Sequence, residues 1–475
     1  MKNTIEQLDR LCDNKDISKT MKWSWKEAWT YEDTWRNFLN QSYNWKRIIN
    51  LQKWNIWELW GGVTTMDIWF NPCLQVANIL EASRWSGDLD YTWSRGPEIV
   101  TNMFSQMVNS YFSTDIFKQE DVIRTSWWTE AITIILDYFK DKKILQCWPW
   151  YFMQYGMCND IKTLFNDDFA GWDKWDFRML PSVEQIKQNI SEKGVVWIIN
   201  PSISGEVYSK DELEKITKIV KEKKAFLVID WAFNWTETVE KQDLEVDFDN
   251  TIFFTSPSKW QWFPWKRLWL LASKNKDFID YSVESIWKKR DWLALNIESN
   301  SMWSFLELFD TQMSKFPNNS IEQNIKKVLD NTNSNLDIFA PIREIVTVDL
   351  LQKYLLWKNR FRDVWNEALN EFRANSGVWK IFSWISGEIK SLFNIFMKLD
   401  MKTSDKIKQK YDINEFVRFM FLYNGTLIAP WQNFWWTKEF WDETPIVLRW
   451  TLTQSKEKVA KAIKQFSLWV NSLIY

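Results

Sequence analysis

Apolar and polar positions alternate between about residues 120 and 275 in a way that predicts short strands separated by helices. The apolar runs 195–199 and 225–229 have the length of buried strands, and polar residues follow each of them. Between the two runs, apolar residues from Leu213 to Val220 recur at the spacing of one helix face. Strands joined by amphipathic helices are typical of βαβ units, which build a mostly parallel sheet.

Further elements extend this unit in both directions. Ser209 and Glu212 have the spacing of a capping box and predict the start of the intervening helix. The run 251–255 predicts a third strand, and an earlier unit has a strand at 123–125 and a helix from Ala131. We therefore predict an α/β fold in which helices flank the sheet.

The pattern divides the chain into a large and a small domain. We predict that residues 66–325 form the large domain, that 326–475 form a smaller α+β domain, and that 1–65 form an N-terminal arm and part of the small domain. Asn- and Ser-rich breaks between 300 and 340 indicate a linker zone.

Composition and charge narrow the classes of function. The 60 Lys and Arg residues against 62 Asp and Glu give a net charge of −2, which does not favour nucleic acid or a membrane surface as a partner. The absence of His excludes an imidazole base and a His-ligated metal, and we expect no metal site. No signal peptide or membrane-spanning run is evident and the four Cys lack CxxC spacing, so we expect a cytoplasmic protein.

Candidate chemistry lies where the predicted strands end. Asn200, Asp230 and Lys259 follow three of these strands, and such sheets bind ligands beyond the carboxyl ends of their strands. A lysine amine forms Schiff bases with aldehydes, whereas an aspartate can hold a cationic ring nitrogen and an asparagine is a neutral donor.

Phosphate-binding groups accompany these three residues. Ser256, Ser258 and Arg267 offer hydroxyl and guanidinium donors around the lysine, and Thr129 opens a helix whose N-terminus favours anions. An aldehyde, a cationic ring and a phosphate thus each have a partner, and pyridoxal 5'-phosphate (PLP) carries all three groups.

Five stretches resemble, in order and spacing, the class I/II PLP-dependent aminotransferases of fold type I, and the resemblance begins at about residue 48. It implies a PLP-transferase fold and the transfer of an amino group from an L-amino acid to a 2-oxo acid by a ping-pong mechanism. The stretches are NPSISGEVYS (200–209), IDWAF (229–233), SPSKWQWFPWKRLW (256–269), LIAPWQNFWW (427–436) and VLRWTL (447–452).

The resemblance implies a role for each candidate residue at the cofactor ring. Lys259 matches the lysine that forms the internal aldimine and shuttles the substrate proton. Asp230 matches the acid that pairs with the pyridine nitrogen, and Asn200 the donor to the phenolic oxygen. Tyr151 matches the aromatic residue that stacks on the ring.

The cofactor phosphate has its own set of matching residues. Ser256, Ser258 and Arg267 match side-chain ligands of the phosphate, and Thr129 matches a ligand together with the backbone amide of Trp128 at the helix start.

The resemblance also implies a homodimer and a substrate clamp. Tyr91 matches a tyrosine that reaches the phosphate of the neighbouring subunit. Arg449 matches the arginine that holds the substrate α-carboxylate, and Asn200 and Trp54 are expected beside the substrate. Phe233 stands where many members have a tyrosine whose hydroxyl reaches the ring oxygen.

The motifs leave other functions open. A β-lyase or decarboxylase on the same scaffold would use the same groups, because the cofactor supplies the electronic chemistry. A DNA-binding regulator with an aminotransferase-like domain is disfavoured, because the roughly 45 residues before the resemblance lack a basic cluster.

The contents of tryptophan and glycine are abnormal, at 37 Trp and 11 Gly where roughly 33 Gly would be typical. A tryptophan at a glycine position with positive φ would cost about 1–3 kcal/mol. We hypothesise that many of the codons read here as tryptophan encode glycine in the source organism, and UGA is the obvious candidate. We expect the chain as written to bind PLP weakly. If the tryptophans are genuine, an inactive paralogue is the alternative. The positions that resemble family glycines are Trp54, Trp127, Trp128, Trp148, Trp150, Trp262, Trp265, Trp269, Trp431, Trp435 and Trp436.

Overall fold

A computed structural model of the chain describes its central sheet, the surrounding helices and part of the C-terminal region. The described residues are 49–50, 71–84, 98–126, 128–148, 160–166, 178–202, 204, 206–233, 247–257, 261, 268–289, 297–313, 320–333, 339–374, 382–385, 394–410, 426–427, 429–430, 446–451, 456–457, 460 and 464.

Strands occur throughout this part of the chain. They are β1 (Ile49–Asn50), β2 (Val122–Thr125), β3 (Ile144–Cys147), β4 (Ile161–Leu164), β5 (Val195–Ile199), β6 (Phe226–Asp230), β7 (Thr251–Thr255), β8 (Trp269–Ser273), β9 (Phe382–Ile385), β10 (Asn394–Leu399), β11 (Thr426–Leu427), β12 (Ala429–Pro430) and β13 (Val447–Thr451).

Helices alternate with these strands. They are α1 (Pro72–Arg84), α2 (Glu98–Phe112), α3 (Trp128–Tyr138), α4 (Val183–Asn189), α5 (Lys210–Glu222), α6 (Lys276–Lys289), α7 (Ile297–Met313), α8 (Ile321–Asn333), α9 (Val348–Ala374) and α10 (Met401–Lys410).

The largest sheet of the described residues has seven strands in the order β2-β8-β7-β6-β5-β3-β4. Strands β4, β3, β5, β6 and β7 pair in parallel, whereas β8 is antiparallel to both β7 and β2. Strand β2 therefore runs in the same direction as the parallel strands, and all six carboxyl ends meet at one edge. The predicted mostly parallel sheet is confirmed, although β8 was not among the expected strands.

Helices flank the sheet on both faces, as predicted. Alternation along β5 explains why: Val196 and Ile198 belong to one buried cluster, and Val195 and Trp197 belong to the other. Apolar residues of α1, α2, α4, α5 and α7 complete the first cluster, whereas α3 and α6 complete the second. With both faces covered, the central strand β5 is apolar and buried along its whole length.

The helix after β5 begins where the sequence predicts. The Ser209 hydroxyl accepts a hydrogen bond from the Glu212 amide at 3.3 Å, and the Glu212 carboxylate accepts one from the Ser209 amide at 2.8 Å. Leu213 and Ile216 are buried on the inner side of this helix. Helix α3, by contrast, begins at Trp128, three residues before the predicted start.

The predicted linker zone is wrong over much of its length, because α7 and α8 occupy it. Two serines in and beside this zone lie inside the buried helix α7, where their hydroxyls have partners. Ser301 donates to the carbonyl of Ile297 at 2.7 Å, and Ser299 donates to the carboxylate of Glu81 at 2.8 Å. The predicted domain boundaries stay predictions.

A smaller antiparallel sheet, in the order β12-β13-β10-β9, lies in the C-terminal part of the chain. Arg449 in β13 pairs with Phe396 on one side and Ala429 on the other, which places it at the centre of this sheet. Strand β1 pairs in parallel with β11. None of the helices in the described ranges is long and apolar enough to cross a lipid bilayer.

Candidate active site

Asn200 and Asp230 are neighbours at the carboxyl edge of the large sheet. Strands β5 and β6 are parallel with Ile199 opposite Asp230, and the Asn200 amide extends this ladder by donating to the Asp230 carbonyl oxygen at 3.0 Å. Both side chains are buried, at 0% and 3% exposure. The structure thus brings together two of the three residues predicted at strand ends.

The Asp230 carboxyl group is held beside its own backbone. Its Oδ1 accepts a hydrogen bond from the Ala232 amide at 2.8 Å, which fixes the side-chain direction at the turn that follows β6. A buried carboxylate is costly unless cations or hydrogen bonds stabilise it. This position therefore suits a cationic group such as a protonated ring nitrogen.

Within the described part of the chain, one of the two polar atoms of the Asn200 side-chain amide has a hydrogen-bond partner. Its Oδ1 accepts a hydrogen bond from the Tyr208 amide at 2.8 Å, whereas its buried Nδ2 has no hydrogen-bond partner among the described residues. A buried N–H group without a partner is rare in native proteins. An acceptor oxygen on a bound molecule would satisfy it, and the phenolic oxygen of PLP is such an acceptor.

The loop that carries Asn200 is fixed by the half-buried carboxylate of Glu206, which the sequence did not reveal. Glu206 accepts hydrogen bonds from the backbone amides of Met179 at 2.8 Å and Leu180 at 3.1 Å. Burial raises the pKa of the Glu206 carboxyl, and the Met179 hydrogen bond offsets only part of that shift. The contact holds the segment after β5 against the segment before α4.

A second set of contacts secures the same loop. Arg178 forms an ion pair with Glu212 and donates to the Val207 carbonyl at 3.1 Å, and its guanidinium lies 5.3 Å from the centre of the Tyr208 ring. The Tyr208 hydroxyl donates to the Pro181 carbonyl at 3.0 Å. No short motif marks Arg178, because its partners are distant in the sequence.

Ser256 follows β7 at the same edge, next to the strand that ends in Asp230. The Trp231 amide donates to the Phe254 carbonyl at 2.9 Å, and the Thr255 hydroxyl donates to the Trp231 carbonyl at 3.1 Å. These contacts continue the ladder between β6 and β7 beyond the strands. Ser256, which directly follows β7, is fully buried.

The start of α3 lies beyond β2, at this edge of the sheet. The Glu130 carboxylate accepts a hydrogen bond from the Ser126 amide at 2.8 Å, and Thr129 is half-buried in the first turn. The buried hydroxyl of Thr125 has no hydrogen-bond partner within the described ranges. The positive end of the helix dipole favours an anion there, in agreement with the predicted phosphate position.

Three of the tryptophans that resemble family glycines are described, and none of the three has a positive φ. Trp128 lies in helix α3 and Trp269 in strand β8, and the non-glycine residues with positive φ in the described ranges do not include Trp148. The Trp128 side chain packs against the second buried cluster. The Phe233 ring, which replaces the expected tyrosine, belongs to that cluster.

Several predicted positions lie outside the described residues. Lys259 falls between Pro257 and Gln261, both of which are described. For Arg449, the description covers the backbone and its strand pairing. The predicted residues outside the described ranges are Trp54, Tyr91, Trp127, Trp150, Tyr151, Ser258, Lys259, Trp262, Trp265, Arg267, Trp431, Trp435 and Trp436.

The fold is that of the aspartate and alanine aminotransferases. The structure resembles an aspartate aminotransferase from Thermotoga maritima with a TM-score of 0.62 and 13% sequence identity, covering 93% of this chain and 96% of that one. An aspartate aminotransferase from Rhodobacter sphaeroides gives 0.63 and 14%, with 90% and 94% coverage. An alanine aminotransferase from Pyrococcus furiosus gives 0.62 and 15%, with 92% and 95% coverage.

Comparison of the sequence alone gives no such match. No family model and no curated protein matches it. At identities this low the structural likeness shows the fold but not the activity, which depends on the residues of the site.

Proposed function

We propose that the protein is a PLP-dependent aminotransferase that transfers an amino group from an L-amino acid to a 2-oxo acid. The observation that carries the proposal is the pair formed by Asn200 and Asp230. A buried amide donor that has no partner among the described residues and a buried carboxylate follow neighbouring strands, at the edge of the sheet where ligands of such folds bind. An electron-withdrawing heterocycle with a phenolic oxygen and a basic ring nitrogen suits both groups.

Bound PLP supplies an aldehyde and a ring that accepts electrons from the substrate carbon. Asp230 would keep the ring nitrogen protonated through its negative charge. Asn200 would donate its Nδ2 hydrogen to the ring oxygen and so orient the ring. Ser256 and the start of α3 near Thr129 would hold the phosphate, together with Ser258 and Arg267 by the sequence resemblance.

Two further residues act on the substrate in this proposal. By the sequence resemblance, the amine of Lys259 would carry the proton that leaves the substrate α-carbon. Arg449 would hold the substrate carboxylate, which a guanidinium group binds well. Tyr151 would stack on the cofactor ring.

The proposal includes a cytoplasmic homodimer. Tyr91 matches a residue that completes the site of the neighbouring subunit, so a monomer would have an incomplete phosphate site. Light scattering of the purified protein tests the dimer, and a monomer at micromolar concentration would contradict it.

The described cysteines, Cys73 and Cys147, are buried free thiols, and burial raises the pKa of both.

The test of the activity uses protein produced from a gene with verified codons at the abnormal tryptophan positions. We expect a visible absorption band with added PLP, and borohydride reduction followed by peptide mapping should place the cofactor on Lys259. Lys259→Ala is the matched control and should carry no reduced adduct. A wild-type protein without an adduct contradicts the proposal.

A second measurement separates the transaminase from other PLP enzymes. An amino acid alone should convert the bound cofactor to its amine form, and a 2-oxo acid should reverse the spectral change. Release of ammonia and pyruvate would instead identify a β-lyase, and release of carbon dioxide a decarboxylase.

A further inference from the structure

One peptide group, between Val207 and Tyr208, has a hydrogen bond at each end. Arg178 Nη2 donates to the Val207 carbonyl oxygen at 3.1 Å. The Tyr208 amide of the same peptide group donates to Asn200 Oδ1 at 2.8 Å. A trans peptide group is planar, and its C=O and N–H point in opposite directions. The guanidinium and the Asn200 side chain therefore bind opposite sides of one rigid unit.

The Tyr208 amide decides which way the Asn200 side chain faces. A carboxamide has an oxygen that accepts and a nitrogen that donates, and half a turn exchanges the two. Because the Tyr208 N–H can only donate, the oxygen must face it, and the buried Nδ2 lies on the other side of the carboxamide. The reversed side chain would bring two donors together and would present an acceptor to the phenolic oxygen of PLP.

The guanidinium that holds this peptide group is itself fixed in direction. Both of its terminal nitrogens donate to the carboxylate of Glu212, with Nη2 at 3.2 Å from Oε2 and Nη1 bonded to Oε1. Glu212 also accepts from the Ser209 amide at 2.8 Å, in the first turn of α5. A planar group bound at two nitrogens has little freedom to rotate, so the Val207 carbonyl meets a donor of defined direction.

The side chain of Tyr208 is held by the same part of the chain. Its ring is fully buried, and the Arg178 guanidinium lies 5.3 Å from the ring centre. Its hydroxyl donates to the carbonyl of Pro181 at 3.0 Å. The short segment before α4 therefore contacts both the ring of Tyr208 and the peptide group that precedes its Cα.

The exposure of the ion pair favours a role in orientation over a role in stability. The Arg178 and Glu212 side chains are 34% and 23% exposed, and ion pairs with such access to water contribute little to stability. Hydrogen bonds that follow one another through a peptide group strengthen each other in a protein interior. A cation on the Val207 carbonyl thus makes the Tyr208 N–H a better donor to Asn200.

We propose that Arg178 is a positioning residue, which holds the 207–208 peptide group so that Asn200 presents Nδ2 to the phenolic oxygen of the cofactor. The inference rests on the proposed function for the identity of that oxygen. The arrangement of Arg178, the peptide group and Asn200 concerns the protein alone and is measurable without cofactor.

Two substitutions of Arg178 and one matched control test the proposal. Arg178→Met removes the guanidinium and keeps an apolar stem. Arg178→Lys keeps the charge but loses the planar fork, so it should behave like Arg178→Met. The control is Lys274→Met, which breaks an ion pair with Asp121 of 2.6 Å and comparable burial. Lys274 follows the antiparallel strand β8 and so lies at the opposite edge of the sheet.

Hydrogen–deuterium exchange of peptides from residues 206–213, in protein without added PLP, tests the orientation of the peptide group. We expect both Arg178 variants to raise exchange of the Tyr208 amide about tenfold, since loss of a hydrogen bond in the network changes local opening by that order. Lys274→Met should remain within about twofold of wild type. If Arg178→Met fails to fold, Arg178→Lys decides the question, and wild-type exchange in the Arg178 variants overturns the inference.

A double-mutant cycle then tests whether Arg178 acts through Asn200. Arg178→Met should weaken PLP binding about tenfold in spectroscopic titrations, whereas Lys274→Met should not change it. In an Asn200→Asp background the same substitution should weaken binding less than about twofold, because a carboxylate offers two oxygens whichever way it faces. Equal weakening in both backgrounds would show that Arg178 acts by another route and overturns the inference.

The two proposals fail in different ways. Wild-type protein that binds no PLP contradicts the proposed function, while exchange in the cofactor-free protein still decides whether Arg178 holds the peptide group. Wild-type protein that binds PLP, with Arg178→Met binding it equally well, contradicts the positioning role alone.

Discussion

The backbone amide of Asn200 donates a hydrogen bond to the carbonyl oxygen of Asp230 over 3.0 Å. This contact places the ends of two parallel strands in register, so that an amide and a carboxylate side chain share one edge of the sheet. Neither side chain depends on a mobile loop tip for its position, because each follows directly from a buried strand. Sites built on rigid elements hold their groups more closely than sites on loops.

Replacement of Asn200 should separate its two hydrogen-bonding roles. Asn200→Asp keeps the oxygen that accepts from Tyr208 but replaces the N–H donor that has no partner among the described residues. We expect the affinity for PLP to fall about tenfold or more, and the new buried carboxylate to lower the unfolding free energy as well. Spectroscopic titration and urea denaturation measure the two effects. Equal PLP affinity in wild type and Asn200→Asp would contradict the assigned role.

Asp230→Asn should reduce turnover much more than cofactor binding. The substitution keeps an acceptor oxygen for the Ala232 amide and removes the charge that stabilises a protonated ring nitrogen. We expect the half-reaction with an amino acid to slow about a hundredfold or more. Stopped-flow absorbance measures the rate, and an unchanged rate shows that the ring nitrogen has another partner.

The stability of the protein should depend on pH through Glu307. Its pKa is about 8 in the folded protein and near the ordinary value of 4.5 after unfolding, so the folded state binds the additional proton between these values. The unfolding free energy should therefore fall as pH rises from 5 to 8, by at most about 1.4 kcal/mol per pH unit from this group. Urea denaturation across this range measures the slope, and Glu307→Gln should flatten it.

Tyr208→Phe should destabilise the loop that carries Asn200. The tyrosine hydroxyl donates to the buried carbonyl of Pro181, and its removal leaves that oxygen without this donor. We expect a loss of about 1–2 kcal/mol in unfolding free energy. Denaturant titration checks the loss, and a cost below about 0.3 kcal/mol would show that the contact is not a tether.

The decoding hypothesis predicts glycine at Trp127, Trp128, Trp262 and Trp436 in protein isolated from its source organism. Peptide mass spectrometry identifies the residue at each position, and the gene sequence shows whether the codons are UGA. Ordinary UGG codons, or peptides that contain tryptophan, contradict it. Protein with glycine at these four positions should bind PLP more tightly than the chain as written, because bulky side chains are removed beside the expected phosphate and lysine positions.

The sequence by itself determined the local elements and the chemical candidates. Apolar runs predicted β5, β6 and β7, and the capping box predicted the start of α5. The residues after the strands predicted Asn200, Asp230 and Lys259 at one edge, and the described residues include the first two. These features depend on neighbouring residues, so periodicity and residue type reveal them. The resemblance to aminotransferases added the fold, which the structure shows.

Tertiary structure decided the features that depend on contacts between distant parts of the chain. It inserted the antiparallel β8 between β2 and β7, and it buried the Ser- and Asn-containing helix α7 where composition indicated a linker. It also joined Asn71 and Gln261, which are 190 residues apart in the sequence. A polar residue can be buried when a distant partner compensates its desolvation, and local sequence does not identify that partner.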